Sequence, residues 1–304
     1  MNIANYRNHD LRKSLRALAF GFLLCLAACS RDDSSATGSR NELPSASASD
    51  IANEDSATAW IEKAIAGAQS MTKYGFELQM HQKLTGTEGG KGVSNVRIDM
   101  QGRVERNPLK LDQTIVSDID SDKTTLRSVV VPDAYYMYLP EYEEWSKLSK
   151  DVAAENIATL SDYQVNPERA LTNFRGLRGA LTAEQDGGAV ILRYEGTGQE
   201  AKIFLAGLLE STLGVTGEQS DIMDSLAVHK LKVIVTMDAG RHWPLSYRIE
   251  SNMTIELEPG KKTGVDQTLA GTYSKHNVSA PITVPKEAEQ ALDPDELGKE
   301  LGLE

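Results

Sequence analysis

The spacing of apolar residues along the chain alternates between helical and extended periods. Between residues 57 and 74, Trp60, Ile61, Ala64, Ile65, Ala68 and Met71 fall on one stripe. This predicts a helix, with Asp55 or Ser56 as its cap and Gly75 as its stop. The period then drops to two. Phe76, Leu78, Met80 and Leu84 alternate with Glu77, Gln79, His81 and Lys83. Val96, Ile98, Met100 and Val104 alternate with Arg97, Asp99, Gln101, Arg103 and Glu105, and Leu109, Leu111 and Ile115 with Lys110, Asp112 and Thr114. Turn residues at 86–92 and at Arg106-Asn107-Pro108 separate these runs, which read as an antiparallel meander with one dry and one wet face. Two shorter strands are expected near 124–131 and 134–139, the second (AYYMYL) aromatic on both faces.

From Lys150 to Gly187 the pattern turns helical, with Asn166-Pro167 as a helix start and Leu171, Phe174, Leu177 and Leu181 continuing it. Val190 to Glu195 reads as a strand, Gln199 to Leu213 as an apolar helix, and 215–227 as a loop or short helix. Strict alternation then returns in Leu231, Val233, Val235 and Met237, in Leu245, Tyr247, Ile249, Met253, Ile255 and Leu257, and in Val265, Leu269 and Tyr273. The stretch 245–257 would span about 43 Å, more than twice the usual strand. Strands of that length twist strongly, so a sheet dry on one side curls into a trough whose apolar face needs a cover. The helices at 57–74, 150–182 and 199–213 are available for it. The expected fold is therefore α+β, a strongly curved antiparallel half-barrel covered on its concave face by helices. Pro281 to Pro285 and an acidic helical tail close the chain.

The amino terminus is different in kind. Arg7, Arg12, Lys13 and Arg16 precede an apolar run, and Ala17 to Ala28 is too short to span a bilayer, which needs about twenty residues. It reads as the apolar core of a signal peptide. Leu26-Ala27-Ala28-Cys29 resembles the bacterial lipobox, L-[AS]-[AG]-C. That resemblance implies cleavage after Ala28 and diacylation of Cys29, whereas an ordinary signal peptide would leave Cys29 incidental. Ser30, the next residue, is not the aspartate that retains lipoproteins in the inner membrane of a two-membrane host, a question that does not arise in a host with one membrane. Ser30 to Asp55, rich in Ser, Ala, Asp and Asn, reads as a disordered tether with an r.m.s. reach of about 28 Å. The expected organisation is a signal peptide at 1–28, lipidated Cys29 and tether at 29–55, one half-barrel domain at 56–290, and an acidic tail at 291–304. The expected location is the extracytoplasmic face of the cell membrane, through the Cys29 anchor.

Composition narrows the functional classes. The net charge is −12, and removing residues 1–28, with four basic groups and one acidic group, takes it to −15. That balance argues against a nucleic-acid partner. It also repels anionic headgroups, leaving membrane attachment to the lipid on Cys29. Of the two cysteines, Cys25 leaves with the signal and Cys29 carries lipid, so no thiol is expected to serve a disulfide, a metal or catalysis.

Further residues carry a family resemblance. A first helix ending in Lys73-Tyr74-Gly75-Phe76, Met-bearing strands, Glu144-Trp145-Ser146-Lys147-Leu148, and Thr272-Tyr273-Ser274-Lys275-His276-Asn277 before Ile282-Thr283-Val284-Pro285-Lys286 resemble uncharacterised lipoproteins of Gram-positive, spore-forming bacteria. That family is in turn similar to the LolA-like and LppX-like lipid carriers. The resemblance covers about residues 57–290, with fewer methionines here than in that family. It implies a half-barrel with an apolar cavity for acyl chains, and no catalytic residue.

Motifs for chemistry are sparse. Gly196-Thr197-Gly198-Gln199-Glu200-Ala201 fits G-x-G-x-x-A, but the neighbouring strands read as antiparallel, so a tight strand-to-helix turn is the simpler reading. His81, His229, His242 and His276 lack metal-ligand spacing, and no G-x-S-x-G occurs. No catalytic residue, metal or cofactor is expected. Met80, Met100, Met137, Met237 and Met253, with Phe204, Leu208, Leu209 and Leu213, read either as ordinary core or as the pliable lining of a cavity for an acyl or prenyl chain. The expected function is non-covalent binding of a lipid or other amphiphile by a non-enzymatic lipoprotein. The alternative is an envelope sensor or interaction protein whose trough is filled by its own side chains.

Overall fold

A computed structural model of the chain describes residues 49–50, 54–86, 92–213, 224–258 and 260–294. Long two-faced strands dominate it. They are β2 (Lys73–Gly86), β3 (Val93–Arg106), β4 (Leu109–Ile119), β5 (Asp122–Val131), β6 (Ala134–Leu139), β7 (Glu144–Lys147), β8 (Thr182–Asp186), β9 (Ala189–Gly196), β10 (Ala227–Asp238), β11 (Pro244–Glu258) and β12 (Lys261–Ser274). A two-residue segment, β1 (Ser49–Asp50), pairs with β8. The helices are α1 (Glu54–Gln69), α2 (Lys150–Ala158), α3 (Asp162–Val165), α4 (Pro167–Thr172), α5 (Gln199–Leu213) and α6 (Lys286–Glu289), and a 3-10 segment covers Asn173–Ala180.

All strands join one open sheet in the order β1-β8-β9-β10-β11-β12-β2-β3-β4-β5-β6-β7. Every pairing is antiparallel. Two meanders, β2–β7 and β8–β12, are therefore joined along the β12–β2 ladder. Residues 148–181 carry the chain from edge strand β7 to β8, passing over the inner face. The expected α+β class, a curved antiparallel sheet with helices on its concave side, is the one observed.

Register explains the alternation. Phe76 lies opposite Tyr273, Leu78 opposite Met100, Met80 opposite Leu269, and Tyr247 opposite Val235, so the apolar parities of successive strands share one face. That face is buried against α1, α5 and the crossing segment. Ile61, Ala64, Ile65 and Ala68 of α1, Met71 just beyond it, and Ala201, Phe204, Leu205, Leu208 and Leu209 of α5 all lie in the core. Phe174 of the 3-10 segment meets Phe204 edge-on at 5.1 Å. At its far end α1 comes very close to the β10–β11 loop, where a Cβ on Gly67 would lie 2.3 Å from the His242 carbonyl oxygen.

Three boundaries differ from expectation. α1 begins at Glu54, so Asp55 and Ser56 lie inside its first turn instead of capping it. It also ends at Gln69, because Lys73, Tyr74 and Gly75 are drawn into the β2 ladder opposite Glu105, Val104 and Arg103. Thr182–Asp186, expected to be helical, is a strand: Gly187 (φ 56°) turns the chain into a hairpin with β9, against which β8 can pair. β7 completes the sheet, its Trp145 ring 5.3 Å from Tyr138 on the neighbouring strand.

Candidate functional site

The sheet meets its cover at a polar seam set among apolar side chains. α3 has only four residues, so its carbonyls find few intrahelical donors. Tyrosines from the sheet supply them. The Tyr74 hydroxyl donates to the Gln164 carbonyl and the Tyr273 hydroxyl to the Tyr163 carbonyl, both at 2.7 Å. The Gln164 Nε2 donates to Gln113 Oε1 at 2.9 Å and lies 3.1 Å from Met100 Sδ, and Gln113 Nε2 donates to Ser128 Oγ at 3.2 Å. A capping box on Ser161 and Gln164 holds the start of α3.

The four tyrosine rings form one cluster. Tyr74 meets Tyr273 edge-on at 5.7 Å, Tyr163 lies 4.7 Å from Tyr247, and Tyr247 lies 5.9 Å from Tyr273. Burial pushes all four phenols well above their ordinary pKa, so they are neutral donors at any physiological pH. The hydroxyls of Tyr163 and Tyr247 are buried without a hydrogen-bond partner. Tyr247 packs over Gly271, where an added Cβ would stand 2.4 Å from its hydroxyl oxygen.

Arg106 forms a second bolt at the end of β3. Its guanidinium donates to the carbonyls of Ala68 and Met71 at the end of α1, to Asn166 Oδ1, and to the Glu168 carboxylate of α4. The ion pair is largely enclosed, at 14% and 19% side-chain exposure.

Eight of the nine side chains expected to line a cavity do converge; the ninth, Leu213, has its side chain outside the described residues. Met80, Met137, Met237 and Met253 lie on the inner face, Phe204, Leu208 and Leu209 face it from α5, and all seven are buried in the one core. Met100 is partly buried at the edge of that core. Two grooves of about 550 and 450 Å³ lie apart from these eight, mostly along polar strand positions, the larger also reaching Val96 and the smaller Phe76. The larger is lined by His81, Lys83, Arg97, Asp118, Glu250 and Asp266 among others, the smaller by Glu77, Arg103, Asp112 and Arg127 among others, and none of the eight lines either.

The remaining candidates are placed as follows. Gly196 ends β9 and α5 begins at Gln199, between strands that are all antiparallel, so the G-x-G-x-x-A segment lies in no parallel βαβ unit. There the Tyr194 hydroxyl donates to Glu200 at 2.9 Å, and its pKa is pushed up to about 12 by burial first and by that carboxylate second. His229 bonds the Thr254 hydroxyl, and His276 bonds the Pro244 carbonyl while stacking on Trp243. Among the described residues, no three His, Cys, Asp or Glu side chains gather as a metal site. None of their helices is long and apolar enough to cross a membrane. Cys29, the signal segment 1–28 and tether residues 30–48 lie outside the described residues, as does most of 215–227.

A sequence-family profile matches residues 56–293. The chain belongs to DUF6612, a family of unknown function. No curated protein matches the sequence significantly. Solved structures similar to this DUF6612 chain include a DUF1329 family protein from Desulfovibrio piger, at 13% identity and a TM-score of 0.25, covering 73% of this chain and 97% of that one. Another is a putative outer membrane lipoprotein-sorting protein domain from Vibrio parahaemolyticus, at 10% identity and a TM-score of 0.22, covering 82% and 99%. A third is a LolA superfamily protein from Nitrosomonas europaea, at 10% and 0.20, covering 75% and 94%. Superpositions this loose leave the DUF6612 fold resting on its own strand order and register.

The tyrosine seam and the Arg106 bolt were not singled out in the sequence. Tyr247 and Tyr273 carried the signal of dry-face parity, but the α3 carbonyl that Tyr273 bonds lies 110 residues away and follows no period.

Proposed function

We propose that this DUF6612 protein is a non-enzymatic, extracytoplasmic lipoprotein, anchored through Cys29, that binds the apolar part of a lipid or other amphiphile between sheet and helical cover. One observation carries the reading: part of the apolar inner face and of its cover stays only partly buried. Leu84, Val96, Met100 and Ile115 of β2–β4, and Val152, Ile157 and Leu160 of the crossing segment, are apolar and only partly buried. An acyl chain laid against such surfaces gains about 0.8 kcal/mol per CH₂ removed from water. The lipobox-like Leu26 to Cys29 supports the anchor. Native mass spectrometry of the purified mature chain tests the binding: a mass increment of one lipid beyond the chain's own anchor is expected, and a bare chain after gentle extraction refutes it.

A second reading follows from the tight burial of seven of the eight candidate lining residues whose side chains are described. In that reading the trough is filled by its own side chains, and the protein acts as an envelope sensor or interaction partner. The bare chain in the same experiment is the result it expects.

A further inference from the structure

The acidic charge of the chain is not evenly spread. At the end of the sheet where β2 begins and β12 finishes, two of the three tryptophans sit beneath exposed cations. Lys63 Nζ lies 4.0 Å over the Trp60 ring, and the Arg241 guanidinium 4.7 Å over Trp243. His242 lies 5.6 Å from Trp60, and His276 stacks on Trp243 at 5.0 Å and 16°. Exposed Lys275 follows β12, and three residues on Val278 is 76% exposed, the most exposed large apolar side chain among the described residues.

This end is built, not frayed. His242, Lys275 and Asn277 all take positive φ (62°, 52° and 61°), a conformation uncommon among non-glycine residues. Asn277 ties its turn to the end of α1: its Oδ1 accepts from the Thr72 backbone N–H at 2.7 Å, and its Nδ2 donates to the Ser70 carbonyl at 3.0 Å. Trp243 Nε1 donates to Ser70 Oγ at 2.8 Å. Two of the acids nearby are engaged locally, Asp238 on the backbone N–H groups of Gly240 and Arg241, and Glu62 on Arg175.

The tether joins the body at this same end. Ser49 pairs with Gln185 at the close of β8, beside the turn whose Gly188 carbonyl accepts from the Ala239 N–H of the β10–β11 loop at 2.9 Å. The chain between Cys29 and Ser49 therefore starts from the side that carries the tryptophans and cations.

We infer that this end is a membrane-docking face, which seats Trp60, Trp243 and Val278 at the headgroup level of an anionic bilayer with Lys63, Arg241 and Lys275 on its phosphates. Tryptophan is favoured at that depth, and basic residues gain from anionic lipid only within about a Debye length of the surface. The remote acidic charge of the chain is screened over the same distance, so a local basic patch can dock where the whole molecule would be repelled. The inference rests on the proposed Cys29 anchor, which supplies the proximity.

The test reconstitutes the mature lipidated chain, carrying Trp145→Phe so that only Trp60 and Trp243 emit, into vesicles of phosphatidylcholine and phosphatidylglycerol with phosphatidylcholine brominated high on its acyl chains. Flotation with the vesicles reports the anchor, and quenching reports the face. Floating chain whose emission falls by roughly half is expected, with quenching lost in Lys63→Glu/Arg241→Glu. Floating chain without quenching, or quenching unchanged by the charge reversals, overturns the docking face and leaves the anchor standing. Chain that does not float overturns the anchor. The face is then read by cosedimentation of the same chain with the vesicles at low salt, where the double reversal weakens binding tenfold or more, since one basic residue at such a surface contributes about fivefold. No cosedimentation of the unreversed chain overturns it.

Discussion

Four buried tyrosines in one cluster offer an internal control on the energetics of the seam, because two are bonded and two are not. Tyr273→Phe removes the hydroxyl that satisfies the Tyr163 carbonyl, and Tyr74→Phe does the same to Gln164. Each leaves a carbonyl of a four-residue helix buried with no donor, at a cost of about 1–3 kcal/mol. In a domain of this size 1 kcal/mol shifts the Tm by about 2–4 °C, so each substitution lowers it by roughly 2–12 °C. Tyr247→Phe and Tyr163→Phe delete hydroxyls that have no partner, keep the rings, and relieve a buried orphan oxygen. They are expected to leave the Tm unchanged or raise it slightly. The assay is thermal unfolding by circular dichroism on the four single variants, with urea unfolding to confirm that the slope m is unchanged. Equal losses for all four refute the reasoning, as does a Tyr247→Phe variant that loses more than Tyr273→Phe. Either outcome means that ring packing or an unseen bonding partner governs the seam.

Two other consequences are open to measurement. Arg106→Met leaves the Glu168 carboxylate enclosed without its cation and is expected to destabilise the fold by about 2–4 kcal/mol, while adding Glu168→Leu recovers much of that loss in the same unfolding assay. His276 has its pKa lowered below 6.5 by burial, against the opposing pull of the Pro244 carbonyl and Asp238. The unfolded chain therefore binds more protons as pH falls through 6.5, and stability declines from there down to the lowered folded value. His276→Phe keeps the stack on Trp243 but cannot titrate, so its Tm should fall less between about pH 7 and about pH 5 than that of the unaltered chain.

The fold was legible where one physical rule acts along the chain. A strand with one wet face must alternate, so β2, β3, β10, β11 and β12 could be read residue by residue, and α5 was expected over the residues it occupies. Boundaries failed where long-range pairing outweighed local pattern. Tyr74 and Gly75 look like the end of a helix until β3 offers a ladder, and Thr182–Asp186 looks helical until β9 folds back on it. The dry-face placement of Met80, Met237 and Met253 was legible for the same reason, since parity sets it. How tightly neighbours close around them is a property of packing that no period encodes.

By itself, then, the sequence determined a two-faced antiparallel sheet with a helical cover, because burial of one face imposes a period on the residues that form it. It also carried the lipobox-like segment, whose meaning is local. Only the tertiary structure decided that the crossing segment is held to the sheet by tyrosine hydroxyls and Arg106, with Gln164 close against Met100. It likewise gathered Trp60, Trp243 and Val278, 218 positions apart at the extremes, beside Ser49 at one end. Those arrangements join side chains from distant strands and loops, and their energies depend on three-dimensional neighbours that sequence spacing does not record.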